Sequence, residues 1–158
     1  MDSSEVLVLV IDPLAFGAVN EGARRMRINR KVEITDRDQE DAYATVVDRL
    51  RSENVNLRRK SLAVVLTKYD MLSTLRAGYG LTPGDSTGIR QWLNNSDEDG
   101  FVRRIEDDFD KVEYFVVDSM GQLDAANPCS PVRVLQWVLD VSNTKMPIVA
   151  PSPQPAKR

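Results

Sequence analysis

The sequence predicts an α/β fold of three layers, in which a parallel sheet with three core strands is flanked by helices. Three apolar runs predict the strands: EVLVLVID at 5–12, SLAVVLTK at 61–68 and VEYFVVDS at 112–119. The first two runs are nearly all apolar and rich in β-branched residues, which is typical of strands covered on both faces. Helical patterns alternate with the runs, and this alternation favours parallel strands joined by right-handed crossovers.

The first strand is followed by a segment without a clear pattern and then by a helix. From Phe16 to Thr35 the chain is polar and basic, and we expect a long loop or a partly ordered insertion there. Apolar residues at helical spacing then predict a helix over Arg37 to Glu53, with Thr35 or Asp36 as its N-cap. The apolar stripe of this helix is formed by Ala42, Tyr43, Val46, Val47 and Leu50.

Further helical segments follow the second and the third strand. The first is a short helix that begins at Met71. A loop rich in glycine, proline, serine and threonine separates it from the others, which cover 89–95, 98–109 and 130–142. The last segment starts with a serine cap followed by proline, which is a common start of a helix. The proline-rich end predicts a disordered tail over 143–158, which leaves one domain over 1–142.

The composition excludes several classes of function. The 158 residues carry a net charge of -3 and include one cysteine and no histidine. Without histidine there is no Ser-His-Asp triad, no Cys-His pair and no histidine-ligated zinc. The acidic balance gives no general attraction to nucleic acid or to an anionic membrane. The start of the chain lacks the basic region and the cleavage site of a signal peptide, so we expect a cytoplasmic location.

Polar side chains follow the second and the third strand at the point where each strand ends. Thr67, Lys68 and Asp70 come directly after the second strand, and Ser119 ends the third run. In open α/β sheets, ligands bind beyond the carboxyl ends of the strands. A carboxylate there can accept two adjacent N–H donors, which guanine offers and adenine does not. A lysine stem can lie over a flat ring, so these residue types suit a guanine base.

Two motifs resemble the base-binding loops of P-loop GTPases. TKYD at 67–70 resembles their guanine-specificity motif [NT]-K-x-D, and VVDSMG at 116–121 resembles their second base-binding loop. Residues 6–141 together resemble the C-terminal half of a small-GTPase-like domain of the TRAFAC type, with a further likeness to bacterial double-GTPases. The resemblance implies that GTP or GDP is the ligand. It also assigns the base-binding positions to Thr67, Lys68, Asp70, Ser119 and Met120, the last through its backbone N–H.

The phosphate-binding half of such a domain does not occur in this sequence. There is no G-x-x-x-x-G-K-[ST] motif, and no Asp-x-x-Gly switch stands where the family has one. Those parts hold the phosphates, the magnesium ion and the catalytic water. We therefore expect magnesium only with the missing half, and no GTP hydrolysis by this chain alone. In the family the strand like Val6–Ile11 adjoins the phosphate-loop strand, so we expect its Val6–Val10 edge to bind a companion polypeptide or a second copy.

Three interpretations remain open from the sequence. The first is the base-recognition half of a GTPase-like switch in signalling or assembly. The second is a non-catalytic scaffold of GTPase descent that does not bind nucleotide, and the third is an unrelated α/β module with a coincidental TKYD. In the last case Thr67, Lys68 and Asp70 form an ordinary strand-to-helix turn with a capping aspartate. Asp12 is interpreted as a turn or cap residue without chemistry.

Overall fold

The fold is built on one parallel sheet of three strands. The computed structural model describes residues 6–26, 39–118, 120–121 and 123–142. The strands β1 (Val6–Ile11), β2 (Ser61–Leu66) and β3 (Lys111–Val116) are arranged in the order β1–β2–β3. Each strand pairs with its neighbour over its whole length and without an offset. The predicted α/β class, with a parallel sheet of three strands flanked by helices, is confirmed.

Six α-helices accompany the sheet in the described ranges. Their bounds are α1 Gly17–Arg25, α2 Gln39–Ser52, α3 Tyr69–Leu72, α4 Ser86–Leu93, α5 Asp99–Asp108 and α6 Pro131–Val141. Short 3-10 turns at 13–15, 57–59 and 76–78 and a π turn at 94–98 complete the connections. The predicted tail over 143–158 lies outside the described residues.

The two faces of the sheet are covered unequally. Leu62, Val64 and Leu66 of β2 point into a large core, which α1, α2, α4 and α5 complete. Ala63 and Val65 point to the other face, where they pack with α6 in a much smaller core. Because helices lie on both faces, all six residues of β2 are buried, as expected for a central strand of a parallel sheet.

The prediction of a long loop or partly ordered insertion over Phe16 to Thr35 is wrong for residues 17–25, which are helical. Residues 17–25 form α1, which buries Val19 and Ala23, one helical turn apart, against the large core. Two arginines in the last turn favour the helix through its dipole. The helix was not recognised because only two apolar residues mark its buried side. Residues 27–35 lie outside the part of the chain that the structure describes.

The apolar stripe of α2 is only partly buried. Tyr43 and Val47 are buried in the large core, as the spacing predicts. Ala42 and Val46 precede Tyr43 and Val47 by one residue and therefore point to a neighbouring side of the helix. They line the groove beside the edge of β1 that faces away from β2 and are exposed. The spacing found the helix, but it could not show that the sheet ends beside it.

A network of three side chains ties α4, α5 and β3 together. Arg90 on α4 donates from Nε and Nη2 to the two carboxylate oxygens of Glu106 on α5, at 2.5 and 2.7 Å. The hydroxyl of Tyr114 on β3 donates to Glu106 Oε1 at 3.1 Å. The hydrogen bond from Arg90 holds the pKa of Glu106 below its usual value, against the opposing effect of burial.

We expect the substitution Glu106→Gln to lower the free energy of unfolding by about 1 kcal/mol at pH 7, because the ion pair is partly exposed and screened by solvent. The folded-state pKa of Glu106 lies below its unfolded value, so its contribution is complete above the unfolded pKa. It is lost as the pH falls through the folded pKa. Urea unfolding of both proteins between about pH 7 and about pH 3 checks this.

The matched control is Glu53→Gln, which removes an exposed ion pair between Glu53, directly after the end of α2, and Arg49 on α2. We expect a change of less than about 0.5 kcal/mol for this control. A stability difference between the Glu106→Gln variant and the wild type that stays constant down to the lowest pH contradicts the assignment of the network.

Candidate functional site

The candidate site lies where the three strands end on the same side of the sheet. Ile11, Leu66 and Val116 occupy the same level of the sheet. The loops that follow therefore start next to one another. The loop after β2 is the most central, since it has a neighbour on each side.

Thr67 fastens the central loop to the end of β1. Its backbone N–H and its hydroxyl both donate to the carbonyl oxygen of Ile11, at 3.1 and 3.2 Å. On the other side, the N–H of Tyr69 donates to the carbonyl of Val117 at 3.2 Å, and the N–H of Val117 donates to that of Leu66 at 2.8 Å. The start of the TKYD loop is therefore held by both neighbouring strands.

Lys68 combines an unusual backbone with a defined side-chain partner. Its φ of 58° and ψ of 39° place it in the left-handed region, which is about 1–2 kcal/mol unfavourable for a residue with a Cβ. Its Nζ donates to Oδ2 of Asp12 at 2.5 Å. The lysine stem therefore crosses from the end of β2 to the end of β1.

Asp70 presents a carboxylate to which no described residue forms a hydrogen bond or an ion pair. It lies in the first turn of α3 and is exposed. Its backbone carbonyl accepts from the hydroxyl of Ser73 at 3.0 Å, but within the described ranges no donor reaches its side chain. The side chain makes no capping hydrogen bond, because the cap position of α3 is Lys68. The carboxylate is therefore accessible to a ligand.

The loop after β3 is held by hydrogen bonds among its own residues. The N–H of Met120 donates to Oδ1 of Asp118 at 2.8 Å, and the N–H of Asp118 donates to the carbonyl of Cys129 at 2.9 Å. The Met120 side chain is 84% exposed. Ser119, the other residue predicted from this loop, lies outside the described residues. For Met120 to contact a base through its N–H, Asp118 has to release it first.

The Tyr69 hydroxyl and the Cys129 thiol, which lie beside the loops, both have raised pKa values. Burial raises the pKa of the Tyr69 hydroxyl, and the Cys129 thiol adds to the shift. Burial also raises the pKa of Cys129, and the nearby carboxylate of Asp118 raises it further. A thiol with a raised pKa is a poor nucleophile, so the site offers binding groups and no activated cysteine.

Asp12 is the residue at this site that the sequence interpretation missed. The expected cap is present, since Oδ1 of Asp12 accepts from the N–H of Leu14 at 3.0 Å. The ion pair with Lys68 was not expected. A signal was nevertheless available, because Asp12 and Lys68 both follow apolar runs whose parallel pairing brings the two strand ends together.

A second surface of interest is the open side of β1. The carbonyl of Ile11 points toward β2 and accepts from Thr67, directly after that strand. The alternate residues Val8 and Val10 therefore direct their N–H and C=O groups away from β2. Their side chains are 48% and 63% exposed. Beside them runs a groove of about 420 Å³, lined mainly by apolar residues of β1 and α2, among them Ala42 and Val46.

In the described ranges no cluster of three or more His, Cys, Asp or Glu side chains could hold a metal ion. None of the helices there is long and apolar enough to cross a membrane. Comparison of the chain with protein families, with curated proteins and with solved structures gave no match.

We expect Thr67→Val to lower the free energy of unfolding by about 1 kcal/mol, because the valine keeps the shape and loses the hydroxyl that donates to Ile11. The matched control is Thr67→Ser, which keeps the hydroxyl and should lose less stability. Urea unfolding of the three proteins measures the difference. A Thr67→Val variant as stable as the wild type contradicts the bracing role.

Proposed function

We propose that this chain is the guanine-recognition half of a GTPase-like nucleotide-binding domain. The observation that carries the proposal is the geometry of TKYD at the end of the central strand. Asp70 presents an unoccupied carboxylate, and the side chain of Lys68, two residues earlier, reaches Asp12 at the end of β1. In the proposed complex Asp70 accepts the ring N–H and the exocyclic amine of guanine, while the ring stacks on the stem of Lys68.

The proposed activity is binding, without hydrolysis by this chain alone. GTP hydrolysis needs a phosphate loop, a magnesium ligand and a positioned water, and the sequence contains no G-x-x-x-x-G-K-[ST]. With a half that supplies these parts, the complex would work as a cytoplasmic switch in signalling or assembly. Magnesium belongs to that complex.

A specific observation favours one alternative, a scaffold of GTPase descent that binds no nucleotide. The Met120 N–H is already bonded to Asp118, and the ammonium of Lys68 is already paired with Asp12. A site whose donors are satisfied internally gains less from a ligand, since each new hydrogen bond replaces an existing one. Titration with nucleotide separates the two functions.

We expect GDP to shift the amide NMR signals of residues 67–70 and 120–121 with millimolar affinity, and ADP to leave them unchanged. The substitution Asp70→Ala removes the paired acceptor of the base and should abolish the GDP shifts. The matched control is Asp99→Ala, at an exposed aspartate in the first turn of α5, which should bind GDP as the wild type does. Absence of shifts with saturating GDP favours the scaffold.

In the same proposal, the open side of β1 binds a companion polypeptide that carries the phosphate loop. Exposed backbone groups on an edge strand bind a further strand. Here the edge has apolar neighbours on both faces of the sheet, namely Val8 and Val10 on one face and Ala42 and Val46 on the other. An added strand with apolar side chains on both faces fits this surface. In the absence of the companion, a second copy of the chain can take its place.

We expect the purified chain to self-associate at about 10–100 μM, in the range where exposed apolar edges associate. The substitution Val10→Lys places a charge on the edge and should give a monomer. Leu135→Lys is the matched control, because Leu135 is 62% exposed on α6, a helix that packs on β2 and β3. Analytical ultracentrifugation measures the three masses. A wild-type chain that is monomeric throughout contradicts the assignment of the edge.

A further inference from the structure

Asp12 is a fixed acceptor at the end of β1. Its Oδ1 accepts from the N–H of Leu14 at 3.0 Å, and its backbone carbonyl accepts from Nε2 of Gln39 at 2.6 Å. Its other oxygen, Oδ2, accepts from Nζ of Lys68 at 2.5 Å. A carboxylate restrained in this way has one preferred place, unlike most surface aspartates, whose ion pairs contribute little.

Lys68 is restrained at both ends of its side chain. Its backbone is fixed by the bonds of Thr67 to Ile11 and of Tyr69 to Val117. Its ammonium is fixed by Asp12. A free lysine side chain keeps about 2 kcal/mol of rotamer entropy, which a ligand stacking on the stem has to overcome. The ion pair has already restricted the stem before any ligand arrives.

We propose that Asp12 is a positioning residue for recognition of the base. It holds the stem of Lys68 across the site, so that a guanine ring stacks on the stem with its N–H edge at the Asp70 carboxylate. Asp12 itself does not touch the ligand. This inference rests on the function proposed above, and it gives a role to a residue outside the TKYD motif. Its benefit is pre-organisation, which reduces the entropy lost on binding.

The substitution Asp12→Asn separates this role from the capping role. Asparagine keeps an oxygen for the N–H of Leu14 and replaces Oδ2 by an NH2 group, which cannot accept from Lys68. The matched control is Asp110→Asn, since Asp110 is paired with Arg58 at 3.2 Å beside the opposite end of β3. Both substitutions change the net charge equally and each removes one partly exposed ion pair.

The measurement is GDP titration of the full chain by NMR. We expect Asp12→Asn to weaken GDP binding by about threefold to tenfold, the effect of one lysine stem that is no longer immobilised. Asp110→Asn should bind as the wild type does. The methylene protons of Lys68 should show a ring-current shift with GDP in the wild type and a smaller one in the Asp12→Asn variant. A merely structural role of Asp12 does not change that shift selectively.

A double-mutant cycle with Lys68→Met completes the test. Methionine keeps an apolar stem and has no ammonium for Asp12 to hold. Lys68→Met should weaken GDP binding by about the same factor as Asp12→Asn. In the Lys68→Met background, Asp12→Asn should have no further effect. If Asp12→Asn folds poorly, Lys68→Met alone still tests whether the ammonium that Asp12 holds contributes to GDP binding, because it must then lower the affinity.

The failures of this inference and of the proposed function are distinguishable. If the wild type binds GDP and Asp12→Asn binds equally well, Asp12 does not position Lys68 and the proposed function stands. Tighter binding by Asp12→Asn means that Asp12 competes with the ligand for Lys68, which also overturns the inference. If Asp110→Asn loses as much GDP affinity as Asp12→Asn, the loss comes from the change in net charge and the inference is overturned. If the wild type binds no GDP, the proposed function and the inference fail together.

Discussion

The burial of β2 on both faces is the constraint on which the rest of the structure depends. Its residues alternate between the large core and the small one, and both of its edges are paired. A strand buried in this way cannot shift its register by one residue without moving its side chains to the wrong faces. The register in turn brings the ends of the three strands to one level, and the candidate site is a consequence of that alignment.

The sequence was sufficient for the strands and for most helices, because these elements have strong periodic signals. β2 is an unbroken apolar run, and burial on both faces requires one. The predictions failed where the hydrophobic periodicity is weak or does not decide burial. α1 buries two residues, Val19 and Ala23, and two positions do not define a period. The exposure of Ala42 and Val46 depends on where the sheet ends, which local periodicity does not contain.

The candidate site was predictable only in part, for a similar reason. Thr67, Lys68 and Asp70 are adjacent in the chain, so a motif finds them together. The pair of Asp12 and Lys68 spans 56 positions and exists because β1 and β2 are parallel and in register. The bond between Met120 and Asp118 is local, but it depends on how the turn closes, and residue types alone do not specify that.

The order of the strands has a consequence for the synthesis of the protein. Among the strands that the structure describes, β1 has β2 as its single neighbour, and Val6 pairs with Ser61, 55 positions later in the chain. At about 5–20 residues per second, the ribosome needs about 3 to 11 s to make this connection. During that interval the apolar β1 segment is already synthesised while its pairing strand is not. Contact of the nascent segment with other chains or with chaperones therefore competes with its folding.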